Sequence, residues 1–290
     1  MATPRQIRSR IRVAKNIQQI TKAMKMVAAA RLRRAQEAVG ASRPYSEKMR
    51  EVMQSLGSNS KNVRHPLLRT PVGAAQNVGV IVVTGDRGLC GSYNSASIKL
   101  AVEALRPFGA DRAKVIAVGK KGAVFFRRRG FNVIREQAVP NTGIPFTEAQ
   151  AIAKMGRDLF ESGEIDSLVV VYTKFISALS QKPTVTQILP IESLGTAAPV
   201  VGGSQADITF EPDAEELLGA LLPRYIDTLI FQALLESVAS ELGARMTSMS
   251  SATDNAGKMI SGLTLSLNRA RQASITKEIA EIVGGAEALK

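Results

Sequence analysis

Two long stretches without helix breakers, one at each end, constrain this chain more than any other feature. No proline occurs from Arg5 to Arg43, and none from Arg224 to Lys290. Met1–Pro44 and Gln232–Lys290 also lack Phe, Tyr and Trp. A helix that packs mainly on one partner helix uses Leu, Ile, Met, Ala and Ser along a narrow seam and needs no bulky anchors. As continuous helices the C-terminal run would reach roughly 100 Å and the N-terminal run roughly 60 Å. The expectation is a helical rod with a globular insertion. Ten of the thirteen aromatics lie between Tyr93 and Phe210, so the dense core belongs there.

The net charge of +13 points to an acidic partner. Ten Arg or Lys residues lie between Arg5 and Arg34, and the first carboxylate is Glu37. Such a block fits nucleic acid, a mitochondrial transit peptide, or a helix lying against acidic protein loops. The charges have no aromatic stacking partners among them, which disfavours nucleic acid. The helical pattern continues past Ala35 without a cleavage-like break, which disfavours a transit peptide. An acidic protein partner fits best.

On the first helix, expected to start at the Thr3-Pro4 cap, Ile7, Ile11, Ala14, Ile17, Thr21, Met24 and Ala28 form a seam. Arg43-Pro44 predicts a kink or an interruption, after which the helix resumes to Gly57. Between the ends the order is β–α–β–α. Val78–Val83 reads as a buried strand, Ser95–Leu105 as a helix, and Lys114–Val118 and Asn132–Arg135 as strands about a helix at Lys121–Arg129. Thr147 and Gln150 read as a capping box opening a helix to Phe160. Ser167–Thr173 and Thr184–Leu189 complete a largely parallel sheet with helices on its faces. The last helix, from about Asp213, is apolar at both ends and rich in Ser, Thr, Ala and Gly from Ser237 to Ser261. The divisions expected are 1–57, helix; 58–76, connector; 77–194, α/β domain; 195–212, linker; and 213–290, helix.

Self-sufficient chemistry is absent from the pattern. Gly85-Asp86-Arg87-Gly88-Leu89-Cys90-Gly91 follows the first strand, where doubly wound folds bind phosphates, but its glycine spacing is not the dinucleotide fingerprint. Cys90 and His65 stand alone as Cys and His, so no disulfide or structural zinc site is expected. No carboxylate pair is singled out for acid–base work. Neither a signal peptide nor an apolar run of about 20 residues is visible. No cofactor, metal site or catalytic residue is expected.

The terminal run Asn268–Ala286, containing Arg271, Gln272, Thr276 and Glu278, closely resembles the C-terminal signature of the gamma subunits of F-type ATP synthase. Ile20–Ala29, Asp86–Gly91 and Ala252–Ala256 resemble other ordered segments of that family, and the resemblance spans essentially the whole chain. It implies an α/β architecture in which the terminal helices wind as a long antiparallel coiled coil beside a central Rossmann-like domain with a mostly parallel sheet. It implies a non-catalytic rotor shaft that couples proton-driven rotation of the c ring to the beta catalytic sites. The implied partners are alpha, beta, epsilon and the c-subunit ring. Met24, Arg33, Arg34, Arg245, Arg271, Gln272, Thr276 and Glu278 would contact the alpha/beta hexamer, and Phe210 and Glu211 the c ring and epsilon. The family pattern leads one to expect Tyr where Phe210 stands. The cysteine pair of chloroplast relatives is missing, so dithiol regulation is not expected. The implied location is peripheral, on the cytoplasmic face of a bacterial inner membrane. Runner-up readings are a nucleotide-binding α/β protein and a basic nucleic-acid-binding coiled coil.

Overall fold

The computed structural model describes residues 3–59, 65–69, 75–140, 143–191 and 214–287. In chain order its elements are α1 (Pro4–Asn59), a 3₁₀ turn (Pro66–Leu68), β1 (Val78–Val83), α2 (Tyr93–Leu105) and β2 (Ala113–Val118). There follow α3 (Lys120–Arg128), β3 (Asn132–Gln137), α4 (Phe146–Glu161), β4 (Ser167–Phe175), β5 (Gln181–Leu189) and α5 (Ala214–Glu287). The chain forms two compact units: Met1–Ala29 with Arg245–Lys290, and Ala30–Ala244.

The larger unit is built on a five-stranded sheet ordered β3-β2-β1-β4-β5. β1 pairs in parallel with β2 and β4, and β2 with β3, whereas β5 runs antiparallel to β4. Every residue of β1 is buried, because the central strand is covered on both faces. One face places Ile81, Val83, Ile116 and Val170 against α4, the apolar start of α5 and Met49 and Met53 of α1. The opposite face places Val80, Val82, Val115 and Ala117 beneath Ala101 and Leu105 of α2 and Ala123 and Phe126 of α3. The first stretch of α5 buries Leu218, Leu222, Ile226, Ile230 and Leu234. Arg157 of α4 pairs there with Asp227 in a largely buried contact and donates to Pro223 O at 3.0 Å.

Several local expectations are corrected. α1 runs through Pro44 without interruption. Val39 and Ser46 are buried on either side of the proline, Met49 and Met53 beyond it, and this packing outweighs one missing backbone bond. α5 likewise contains Pro223. Each proline has a glycine four residues earlier, Gly40 and Gly219, whose backbone tolerates the carbonyl tilt that the ring imposes. Thr147 and Gln150 form no capping box: the residue before the helix is Pro145, and the Gln150 amide donates instead to Asp227 at 3.4 Å. β5 starts three residues earlier than its apolar pattern suggested, because its ladder continues to Phe175–Gln181 and a turn closed by Ser177 and Ser180. By length and composition alone α5 is long and apolar enough to cross a membrane. Its apolar residues are strung along helix-packing positions and not gathered into one continuous run. The cap at Thr3 is present in full: Thr3 N–H donates to Gln6 Oε1 at 3.1 Å, and Gln6 N–H donates to Thr3 Oγ1 at 3.4 Å.

Candidate interaction surface of the paired helices

In the smaller unit α1 and α5 pack antiparallel. The Thr21 and Thr253 hydroxyls lie 2.8 Å apart, and Lys25 Nζ donates to Ser250 Oγ at 2.9 Å. Each threonine hydroxyl also reaches a carbonyl of its own helix, Gln18 O at 3.1 Å and Met249 O at 2.7 Å. A β carbon added to Gly257 would meet the Gln18 amide at 3.1 Å, so the glycine admits that polar side chain.

Burial on α1 recurs every seven residues, at Ile7, Ala14, Thr21 and Ala28. On α5 the same interval links buried Met249 and Ala256 to half-buried Leu263 and Ala270. A seven-residue repeat is the signature of a left-handed coiled coil. The α1 pattern then slips by four and resumes at Leu32, Val39, Ser46 and Met53. A four-residue insertion of this kind locally relaxes the supercoil. Ile17 lies off the seam and is exposed, and Gln18 takes the half-buried position beside it. The seam is narrow because Ala14, Ala28 and Ala256 bury few atoms, at about 25 cal/mol per Å². Val13, Ile17, Ile20 and Val27 form a second, exposed apolar stripe on α1.

Among the described residues the last part of α5 has no partner helix. Every residue from 271 to 286 is exposed, including Ile275, Ile279, Ile282 and Val283. Arg271, Gln272, Thr276 and Glu278 therefore stand on one bare helix tip. Arg271 and Glu278, seven apart, share a side, and Gln272 and Thr276, four apart, share the neighbouring one. Glu278 accepts from Ser274 Oγ at 3.2 Å, and Lys277 pairs with Glu281 at 3.3 Å.

The remaining sequence-selected residues are scattered. Met24 is half-buried at the seam, and Arg245 is half-buried on α5. Arg33 and Arg34 are exposed in the larger unit, and Arg33 pairs with Glu37 at 3.3 Å. Such an exposed pair stabilises a helix by only about 0.3–0.5 kcal/mol. Phe210 and Glu211 lie outside the described residues. The Thr21–Thr253 and Lys25–Ser250 contacts were missed from sequence, because nothing in the chain fixes the helix register.

The glycine loop after β1 is occupied by its own side chains. Asp86 accepts from the backbone N–H of Lys120 at 2.9 Å and of Val139 at 3.1 Å, and Asn94 Oδ1 accepts from Gly85 N–H at 2.8 Å. A carboxylate thus sits at the start of α3, a helix end that favours an anion. Cys90 is buried within this loop. Among the described residues no cluster of His, Cys, Asp and Glu could hold a metal ion.

A family model described as ATP synthase matches residues 3–289. The chain is 48% identical over 291 residues to the ATP synthase gamma chain of Desulfitobacterium hafniense, covering 100% of both proteins. It is 47% identical to that of Heliobacterium modesticaldum, covering 98% of each. Among solved structures, a chain of the Euglena gracilis mitochondrial ATP synthase assembly of OSCP, F1 and c-ring matches with a TM-score of 0.68 at 19% identity, covering 99% of this chain and 94% of that one. A chain of the Tetrahymena thermophila central stalk and c-ring matches at 0.61 and 23% identity, covering 80% of this chain and 99% of that one. These distant structures share the fold. Identity approaching one half along the entire length carries more than fold, and by it the chain belongs to the ATP synthase gamma-chain family.

Proposed function

We propose that the chain is the central-stalk rotor subunit of F-type ATP synthase, transmitting rotation of the c ring to the beta catalytic sites. The observation that carries this reading is the antiparallel heptad pair ending in a bare α5 tip, in a chain of the gamma family. It is a non-catalytic subunit: it transmits mechanical work, and ATP chemistry takes place on beta. The segments 1–57 and 213–290 act as the shaft, 77–194 as the foot domain, and 58–76 and 195–212 as their connectors.

The energetics favour a rotating element. Moving one site from a 1:99 to a 99:1 population takes about 5.5 kcal/mol of differential interaction. One charge crossing 100 mV supplies about 2.3 kcal/mol. Several translocated charges must be pooled for each chemical event, and a shaft with a lopsided surface pools them. Met24, Arg33, Arg34, Arg245, Arg271, Gln272, Thr276 and Glu278 make the contacts to the alpha/beta hexamer. Phe210 and Glu211 contact the c ring and epsilon. The complex sits on the cytoplasmic face of a bacterial inner membrane, with this chain peripheral to the bilayer.

The test is affinity purification of the tagged chain from membranes. Alpha and beta are expected to co-elute in about threefold excess over it, with epsilon and c present. Elution of the chain alone, or with nucleic acid, would overturn the reading.

A further inference from the structure

On the face of the sheet opposite α4, helices α2 and α3 leave a groove of about 490 Å³. Its walls include Ile98 of α2 and Val124 and Phe125 of α3, with Val124 45% exposed. Lys120, Lys121, Arg128 and Arg129 surround it, all exposed. Among the described residues none of these four has a carboxylate partner, and Arg129 lies over the Phe125 ring at 5.2 Å. Among the described residues the only acid lining the groove is Asp86, whose two oxygens are already bonded to the backbone amides of Lys120 and Val139.

The placement of the lysines runs against local helix physics. The first turn of α3 carries no acidic residue and two cations, at the positive end of the helix dipole. Arg127 and Arg128 at the other end suit that dipole, and Arg127 pairs with Glu136 at 2.5 Å. The lysines therefore gain nothing from the helix that bears them.

We propose that this groove is a docking site for an acidic amphipathic helix of a partner protein. Geometry selects the ligand. Lys121 and Arg128 are seven residues apart, about 11 Å along the helix, with Val124 between them on the same side. A matching ligand presents two negative groups at that separation with an apolar group between. A helix with acids at i and i+7 and Leu at i+3 or i+4 meets that requirement. A phosphate or a nucleotide does not, because its charges are clustered and the amide at the start of α3 is already taken by Asp86.

The test uses the full chain and a fluorescent helical peptide of about 14 residues, roughly four turns. The peptide carries Glu at two positions seven apart, with Leu three and four residues after the first. Anisotropy titration is expected to show saturable binding. Affinity should fall about tenfold or more when both Glu become Gln, and equally when Lys121→Glu and Arg128→Glu are combined in the chain. The double substitution Arg10→Glu with Arg12→Glu changes the net charge by the same amount at exposed sites on α1, and should leave affinity within about twofold. Equal loss in that comparison protein would overturn the proposal, as would absence of peptide binding. So would groove-dependent binding of phosphatidylserine vesicles in place of the peptide. The Gln peptide is titrated against the unaltered chain, so a folding defect cannot produce its result.

Discussion

Gly119 shows how little freedom single positions have in the larger unit. Its φ is +97°, and a β carbon there would stand 2.1 Å from the Thr84 carbonyl oxygen. The Thr84 hydroxyl lies 3.1 and 3.2 Å from the carbonyls of Val118 and Gly119, and accepts from Gly122 N–H at 2.9 Å. Gly119→Ala should cost about 3 kcal/mol or more through steric strain, read as a lowered urea midpoint. Tyr93 supplies a pH-dependent test. Burial pushes its phenol up from the ordinary value, the Glu241 charge adds to the rise, and a hydrogen bond with Ser237 opposes it. The folded phenol thus titrates above the unfolded one. Its contribution is complete below pH of about 10 and is lost as pH rises from there. Thermal melts should show a steeper fall in midpoint above that pH for the wild type than for Tyr93→Phe. The phenylalanine variant should lose about 1 kcal/mol at neutral pH with the hydrogen bond. At this scale the sequence was only partly legible. The row Gly85–Gly91 drew attention to its glycines, yet the position that tolerates no side chain is Gly119, which stands outside the row. Its need arises from Thr84, thirty-five residues away in the chain, and no local pattern reports such a meeting.

Among the elements, legibility followed how local the cause was. Val78–Val83 could be read outright, because a strand covered on both faces is apolar at every position. The Thr3 cap was equally plain, since its partners lie within four residues. Pro44 misled because the packing that holds α1 together on either side is tertiary and invisible in a local window. Ile17 misled for a related reason. A spacing of three or four residues admits either Ile17 or Gln18, and only the partner helix, with Gly257 facing Gln18, decides between them. The resulting register is testable. With Thr21→Cys and Thr253→Cys combined, mild oxidation should close a disulfide, since the hydroxyls they replace are 2.8 Å apart. The product should migrate differently from the reduced chain on a non-reducing gel. Cys90 is buried and should not compete. Failure to close would mean that the helices pair in another register.

For the molecule as a whole, charge and family agree. Ten cations precede the first carboxylate, and among the acids that follow Glu37 is spent on Arg33. The positive field of the N-terminal helix is therefore available to neighbouring proteins. The contact residues expected from the family resemblance divide into a tip set, Arg271, Gln272, Thr276 and Glu278, and a set along the helices, Met24, Arg33, Arg34 and Arg245. Removing residues 271–290 isolates the tip set. The shortened chain should keep its melting midpoint within about 2–4 °C, because the described residues among those lost, 271–286, are all exposed. Its assembled complex should hold the alpha/beta hexamer less firmly, measured as faster dissociation on dilution. The bare end of α5 has one more consequence. A lone helix of some sixteen residues is close to break-even in water, and this one turns isoleucines outward. Protease should therefore trim the purified chain from that end and spare it inside the complex, so the final turns owe their persistence to whichever protein encloses them.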